Sequence, residues 1–361
     1  MLKPRILVTS AAGHTGTPVA LQLLARGFPV RAFVRQQDER SKLLQKAGAE
    51  IFVGNLFDFR DLQHAMVGVK RAYHCPPFGD NLLQNTMLFA LAAEDAKLEV
   101  VALMSQWNPH PTHPSNITRE HWLTNQIYRW MPSVDVIHIN PGLFAFTYML
   151  GLPAIAHFGM LMAPFGNGRN APPSNEDIAH VVSEVLHNPS KHIGKSYRPT
   201  GPKLLSSFEI ADILGKVLNR RVIYKNIPFK NFSKAALALG FPISELAHLR
   251  HYADELKGGA FEIGGVTDHV LEVTGTAPET FETTAKRYMQ QPHLISKDLK
   301  FGTKTQAFRF LAKMILTPPA DLIKWESEKG YPKLKAPLLA HQSAEWRTTA
   351  SRQELNLLFN T

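Results

Sequence analysis

Between residues 5 and 140 the chain alternates short apolar runs with segments of helical period, and this alternation narrows the possible folds more than any other feature. The runs RILVTS from Arg5, PVRAFVR from Pro29, AEIFVG from Ala49, KRAYHC from Lys70, LEVVALMS from Leu98 and VDVIHIN from Val134 are rich in Val, Ile and Leu, with little of the polar alternation of a half-exposed strand. Strands covered on both faces read this way. Between them, residues 15–26, 39–47, 60–67, 81–97 and 119–130 carry apolar residues near helical spacing. Six strands joined by five helical crossovers predict an α/β fold built on a doubly wound parallel sheet, a Rossmann-type domain over residues 1–150.

The first turn of that pattern carries the strongest chemical signal. In TSAAGHTG, residues 9–16, a strand passes through small residues into a helix, where exposed backbone N–H groups and the helix dipole favour phosphate. Ser10, Ala12, Gly13, His14, Thr15 and Gly16 are the candidate cradle, with Ser10 standing where the tightest version of the motif has glycine. Two glycines three apart are a weak signal alone. After a first strand, before a first helix and about 20 residues ahead of the second strand's end, they predict dinucleotide binding. An acid at that second strand end would favour NAD(H); this chain has Arg35, with Arg31 nearby, and a guanidinium suits a 2′-phosphate, so NADP(H) is expected. The competing reading has Arg35 covering the sheet edge while Asp38 turns to the ribose.

The other strand ends supply the remaining candidates, because doubly wound sheets bind ligands at their carboxyl edge. Asn55 and Leu56 follow the third strand, and Asp58 and Asp61 read as helix caps. Cys75, Pro76 and Pro77 follow the fourth; Cys75, the only cysteine, reads as a small hydrophobe unless a positive charge lies beside it. Ser105 follows the fifth strand. Asn140, Pro141, Gly142 and Phe144 follow the sixth, next to the expected nicotinamide site, with Phe144 as one wall.

Residues 144–165 are uncharged and long enough for a membrane span, but Gly151, Pro153, His157, Gly159 and Pro164 interrupt them, so a pocket wall is expected. SNED from Ser174 and SSFE from Ser206 resemble capping boxes opening amphipathic helices. Residues 151–290 read as a smaller mixed or helical lobe for substrate or partner, with 175–200 able to complete the sheet. Residues 291–361 read as a docked C-terminal extension. Within it the basic amphipathic stretch 304–316 either packs on the core or makes peripheral membrane contact.

One cysteine excludes an internal disulfide, and the start MLKPRILVTS leaves no room for a signal peptide's apolar core, so a cytoplasmic protein is expected. The net charge of +10 is scattered rather than striped, which argues for a solvated basic surface and against specific nucleic-acid binding. The sixteen histidines are dispersed without a ligand array, so no metal is expected.

Taken together, ILVTSAAGHTG, VRAFVR, GNLFD and INPGLF, followed by NEDIAHVVSEVLHNPSKHIGKSYRPTGPKLLSSFEIADILGKVLNRRVIY and DHVLEVTGTAPETFETTAKRY, resemble the NmrA-like family of atypical short-chain dehydrogenase/reductases across residues 1–290. The resemblance implies a Rossmann domain, a smaller C-terminal lobe and a cleft that receives substrate, or stays empty in regulators. Catalytic short-chain dehydrogenases place Tyr and Lys in YxxxK beside a Ser. Here Ser105 stands at the serine's place, but the helix reads TREHWLTNQIYRW, and Tyr128 has Pro132 four residues on. Related reductases keep a lysine on this helix, and His121 falls near that position, where imidazole would bind the nicotinamide ribose or act as general acid. The expected activity is an NADP(H)-dependent oxidoreductase acting on a fairly apolar carbonyl, quinone or unsaturated small molecule. The alternative is a silent NADP(H)-binding sensor that regulates a protein partner.

Overall fold

The computed structural model describes residues 3–290, 295–296, 299–300 and 304–353. The first half runs β1 (Arg5–Val8), α1 (Gly16–Ala25), β2 (Val30–Val34), α2 (Glu39–Lys46), β3 (Glu50–Val53), α3 (Phe59–Met66), β4 (Val69–His74), α4 (Leu82–Asp95), β5 (Val100–Met104), α5 (Asn116–Arg129) and β6 (Asp135–Ile139). A 3₁₀ turn over Ala145–Met149 leads into α6 (Leu152–Phe158), β7 (Met160–Ala163), β8 (Arg169–Asn170), α7 (Asn175–His187) and β9 (Ser196–Tyr197). The remaining lobe contains β10 (Leu205–Ser206), α8 (Ser207–Leu218), β11 (Ile223–Asn226), α9 (Phe229–Ala238), α10 (Ile243–Lys257), α11 (His269–Thr274) and α12 (Phe281–Met289), and the extension contributes α13 (Lys304–Leu316), α14 (Leu322–Glu328) and α15 (Ala344–Ser351).

All six expected strands pair in parallel in the order β3-β2-β1-β4-β5-β6, and β9 adds a seventh beyond β6. The order reverses between β1 and β4, so a crevice opens at their carboxyl ends, where doubly wound sheets take ligands. Side chains alternate across the sheet. Ile6 and Val8 face the layer of α1 and α7 with Val19, Leu23, Ile178 and Val182, while Leu7 faces the opposite layer with Leu62, Phe89, Leu103 and Tyr128. Each fully buried aliphatic contributes roughly 1.5–3 kcal/mol relative to exposure, so both layers clamp the strand ends that carry the candidate site.

The two expected capping boxes differ. At Ser206 the box is reciprocal with Glu209, whereas Ser174 accepts from the Asp177 amide without a return bond. The apolar stretch 144–165 divides into the 3₁₀ turn, α6 and β7, and no helix among the described residues is long and apolar enough to cross a membrane.

A separate core fills the second lobe, with Leu152, Leu161, Ile210, Leu214, Phe261 and Phe281 at its centre. The extension enters this core. Trp346 of α15 is fully buried and meets Trp107, which follows β5, edge to face at 5.7 Å; Trp107 in turn lies 3.7 Å from the Arg198 guanidinium. Trp346→Ala is expected to lower unfolding free energy by about 3–5 kcal/mol, as for large aromatic truncations in cores. Urea unfolding midpoints check this, and a loss below about 1 kcal/mol would show that α15 docks without contributing to the fold.

Candidate dinucleotide site at the sheet switch point

The loop after β1 is shaped by Ser10. Its φ is +48°, a left-handed backbone that costs an L-residue roughly 1–2 kcal/mol, and its hydroxyl donates to the Cys75 carbonyl at 2.9 Å. The serine therefore occupies glycine's backbone conformation and recovers a hydrogen bond across the crevice between β1 and β4. Thr9 strengthens the same junction by accepting from the Cys75 amide at 2.9 Å. Gly13 N–H donates to the Ser10 carbonyl at 2.8 Å, and Thr17 Oγ1 donates to the Ala11 carbonyl at 3.0 Å. A Cβ on Gly16 would lie 2.2 Å from the Ser10 oxygen, so only glycine lets α1 start this close to the loop. No side chain caps α1 and no acid stands in its first turn, so its N-terminal dipole faces the crevice uncompensated.

A cavity of about 300 Å³ opens beside this loop. Of the candidate residues, Ser10, Ala12, Gly13, Arg35, Asn55, Leu56 and Pro77 line it. Arg35 is exposed at its rim and makes no ion pair among the described residues. Arg31 is committed elsewhere, donating to the Ala65 and Val67 carbonyls at 2.6 and 2.9 Å and to Glu50 at 2.9 Å. Asp38 caps α2 through the Arg40 and Ser41 amides and binds the Arg40 guanidinium, bonds that hold its carboxyl below the usual range. Its oxygens are thus occupied within the protein; Arg40, which also lines the cavity, is paired with Asp38, and Arg35 is left as the lining cation without an ion pair among the described residues. Asp58 caps α3 as expected, while Asp61 accepts from the Asn55 amide at 2.8 Å and braces the β3 loop.

The other candidates surround a second, polar region at the ends of β5 and β6. His14 is exposed and stacks on Phe146 at 4.6 Å, and Phe146 meets Phe144 at 5.7 Å. Thr15 is buried, accepting from the Tyr73 hydroxyl at 3.0 Å. Burial pushes the Cys75 thiol up, so it is protonated at neutral pH, and Pro76 is buried beside it. Pro141 and Gly142 are buried; the close approach that Gly142 permits is to Phe261 and Asn170, at 3.1 and 3.2 Å from an added Cβ. Ser105 Oγ, His121 Nδ1 and Asn140 Oδ1 are all buried without a hydrogen-bond partner among the described residues. Gln106 Nε2 and both polar atoms of Asn108 share this condition, which buried polar groups rarely tolerate unless something absent from the bare chain satisfies them. The sequence did not single out Gln106 or Asn108, and only their position directly after Ser105 would have pointed to them.

Burial lowers His121 to about 4, so the imidazole is neutral at pH 7. YxxxK is absent from α5; the same spelling at 331–335 lies outside any helix, where the Tyr331 hydroxyl donates to Asp80 Oδ1 at 3.0 Å. Lys329 also pairs with Asp80, the Leu338 amide donates to the Thr112 carbonyl at 3.0 Å, and Ser343 Oγ lies 2.9 Å from His110 Nε2. The extension therefore runs over the loops that follow β4 and β5. Buried Glu255 anchors it through His113, His341 and the Ala340 amide; burial opposes its charge, yet these bonds hold the carboxyl down to about 2. Among the described residues, no three His, Cys, Asp or Glu side chains are grouped to hold a metal ion.

A parallel sheet whose switch point carries a glycine-bearing phosphate-type loop, an uncapped helix start and an arginine without an ion pair among the described residues is the arrangement of a Rossmann-type fold. Residues 2–123 match the NmrA-like family. An NAD(P)H azoreductase of Xenophilus azovorans is 28% identical over 284 residues, spanning 78% of this chain and 97% of that one. In fold, the chain is similar to the NADPH-dependent quinone oxidoreductase QOR2 of Escherichia coli, solved with NADPH (TM-score 0.68, 20% identity, 78% and 99% of the two chains). It is equally similar to NmrA, a negative transcriptional regulator solved with NADP (TM-score 0.68, 16% identity, 79% and 95%).

The depressed His121 value carries a sign for stability. Its folded pKa lies below the ordinary 6.5, so the unfolded chain takes the proton first; stability is intact above pH 6.5 and falls as the pH drops toward 4. His121→Phe is expected to recover roughly 2–3 kcal/mol at pH 4.5 relative to pH 7, measured by urea unfolding at both values. Equal pH dependence in the two proteins would refute the buried neutral state.

Proposed function

We propose that the protein is an NADP(H)-dependent oxidoreductase that reduces a fairly apolar carbonyl, quinone or unsaturated small molecule. The observation that carries this reading is Arg35, a guanidinium unpaired among the described residues, at the rim of a phosphate-type cavity in which the one nearby acid, Asp38, is already bonded. A 2′-phosphate accepts from such a fork, whereas a 2′-hydroxyl would need the carboxylate. The residues present fit the coenzyme: backbone donors and Gly16 suit the pyrophosphate, and the orphaned Ser105, Asn140 and His121 atoms suit hydroxyl and amide groups at the other end. The azoreductase and quinone oxidoreductase likenesses support the same assignment.

A bound nicotinamide supplies the hydride; the chain's residues position and shield. Ser105 Oγ, at the end of β5, would donate to a substrate oxygen. Neutral His121 is poorly suited to act as an imidazolium acid, and its role is to hydrogen-bond and orient, most simply on a ribose hydroxyl. Phe144 and Phe146 would form the wall on the second-lobe side, where Phe146 stacks on His14.

A second reading, a sensor that binds NADP(H) without turnover and contacts a protein partner, is favoured by α5 lacking the usual Tyr–Lys pair and by the likeness to NmrA. Stopped-time NADPH oxidation with quinones, azo dyes and enones separates the two, since turnover with none of them leaves the sensor.

Calorimetry is expected to show NADPH binding at least about tenfold tighter than NADH, and Arg35→Ala to bring the two within about threefold, a loss of about 1–2 kcal/mol typical of one charge-assisted contact. Undiminished NADPH preference in the variant would remove Arg35 from recognition. Gly16→Val serves as the companion variant: its side chain meets the Ser10 carbonyl, and binding of both coenzymes should fall together.

A further inference from the structure

The second lobe holds a cavity of about 790 Å³ that shares no lining residue with the switch-point cavity. It lies between α6, β7 and α9, and α13 of the extension closes one side with Phe310, Met314 and Ile315. Nearly all of its wall is aliphatic or aromatic, and Lys234 is the single charged side chain in it among the described residues. The volume falls within the roughly 300–1,000 Å³ of small-molecule sites. Met160, Met162 and Met314 give part of the wall the adaptable shape that irregular apolar ligands need.

The closing helix is tied down lightly. Lys234 Nζ donates to the Ile315 carbonyl at 3.0 Å and Lys313 Nζ to the Ala238 carbonyl at 2.7 Å, with Phe308 meeting Phe158 edge to face at 5.6 Å. An ammonium has three donors, and one of those of Lys234 goes to a neutral carbonyl. A carboxylate arriving at the cavity would give that lysine a charge-assisted bond, about twice as strong. One cation in a wide apolar wall is the complement of an amphipath with one acidic end.

We propose that this cavity binds a long-chain fatty acid, its hydrocarbon tail between α6, β7 and α13 and its carboxylate on Lys234. The site is separate from the dinucleotide crevice and works without coenzyme, so absence of NADPH binding would leave it standing. A neutral sterol or a polycyclic dye would use the same wall but would gain nothing from Lys234.

The test is a fluorescence titration of the full chain, without coenzyme, with cis-parinaric acid, followed by displacement with palmitate and with hexadecanol. Saturable one-site binding is expected, with palmitate displacing more tightly than the alcohol. Lys234→Met should weaken palmitate about tenfold or more and hexadecanol by less than about twofold. Ala154→Trp on α6 and Ala235→Trp on α9 fill the cavity from opposite sides and should abolish binding of both ligands. The proposal is overturned if the native chain shows no saturable binding, if Lys234→Met weakens acid and alcohol alike or neither, or if a tryptophan variant with native circular dichroism and unfolding midpoint binds as tightly as the native chain. Should both tryptophan variants fail to fold, the native chain and Lys234→Met decide the matter.

Discussion

The hydrogen bond from Ser10 to the Cys75 carbonyl is the contact on which the candidate site turns. It joins the ends of β1 and β4, the two neighbours between which the strand order reverses, and it compensates a left-handed serine backbone that would otherwise favour glycine. With Ser10 so fixed, its carbonyl receives the Gly13 amide and presses against Gly16, so the start of α1 is positioned by the same residue that bridges the crevice. A longer side chain at position 16 would part the helix from the loop. The direction of the α1 dipole, the opening beside Arg35 and the course of the Cys75–Pro76–Pro77 segment all follow from this junction.

Much of this was legible because the determinants are local. A fully buried strand must be apolar on both faces, so six runs of Val, Ile and Leu announced six strands, and all six pair as expected. The phosphate-type loop was readable for a related reason: its function depends on backbone N–H groups, and the sequence shows where a backbone is free of bulky side chains. β9 escaped definition because two residues, Ser196 and Tyr197, are too short for any period to show. Asp38 could be read two ways until its bonds to the α2 amides and Arg40 were seen, since the same residue type serves as helix cap and as ribose acceptor.

The polar shell around Ser105 lay beyond sequence reasoning for a different reason. Gln106 and Asn108 are ordinary surface residue types, and nothing in their spacing reveals that both are buried or that the Tyr252 hydroxyl donates to Gln106 Oε1. The same holds for the course of residues 329–346. Their contacts to Asp80, Thr112, His110 and Glu255 are isolated polar bonds or pairs of them, set by where the strand-end loops and α10 happen to stand, and they leave no periodic trace. A tail held by such bonds plus one buried tryptophan reads as irregular in sequence and is specific in space.

Two lobes with different chemistries meet at the aromatic turn of residues 144–148. Phe146 stacks on the exposed His14 of the phosphate-type loop and meets Phe144, while Thr147 and Tyr148 line the apolar cavity of the second lobe. One short 3₁₀ turn thus lines the apolar cavity and stands against the phosphate-type loop, and its position is fixed from the other side by Asn170, which donates to the Leu143 carbonyl at 2.6 Å. Because cores are close-packed rather than fluid, a ligand that displaced Tyr148 would press on Phe146 through a single intervening residue. Any coupling between the apolar cavity and the phosphate-type loop would therefore run through the side chains of this turn or through the extension that touches both lobes.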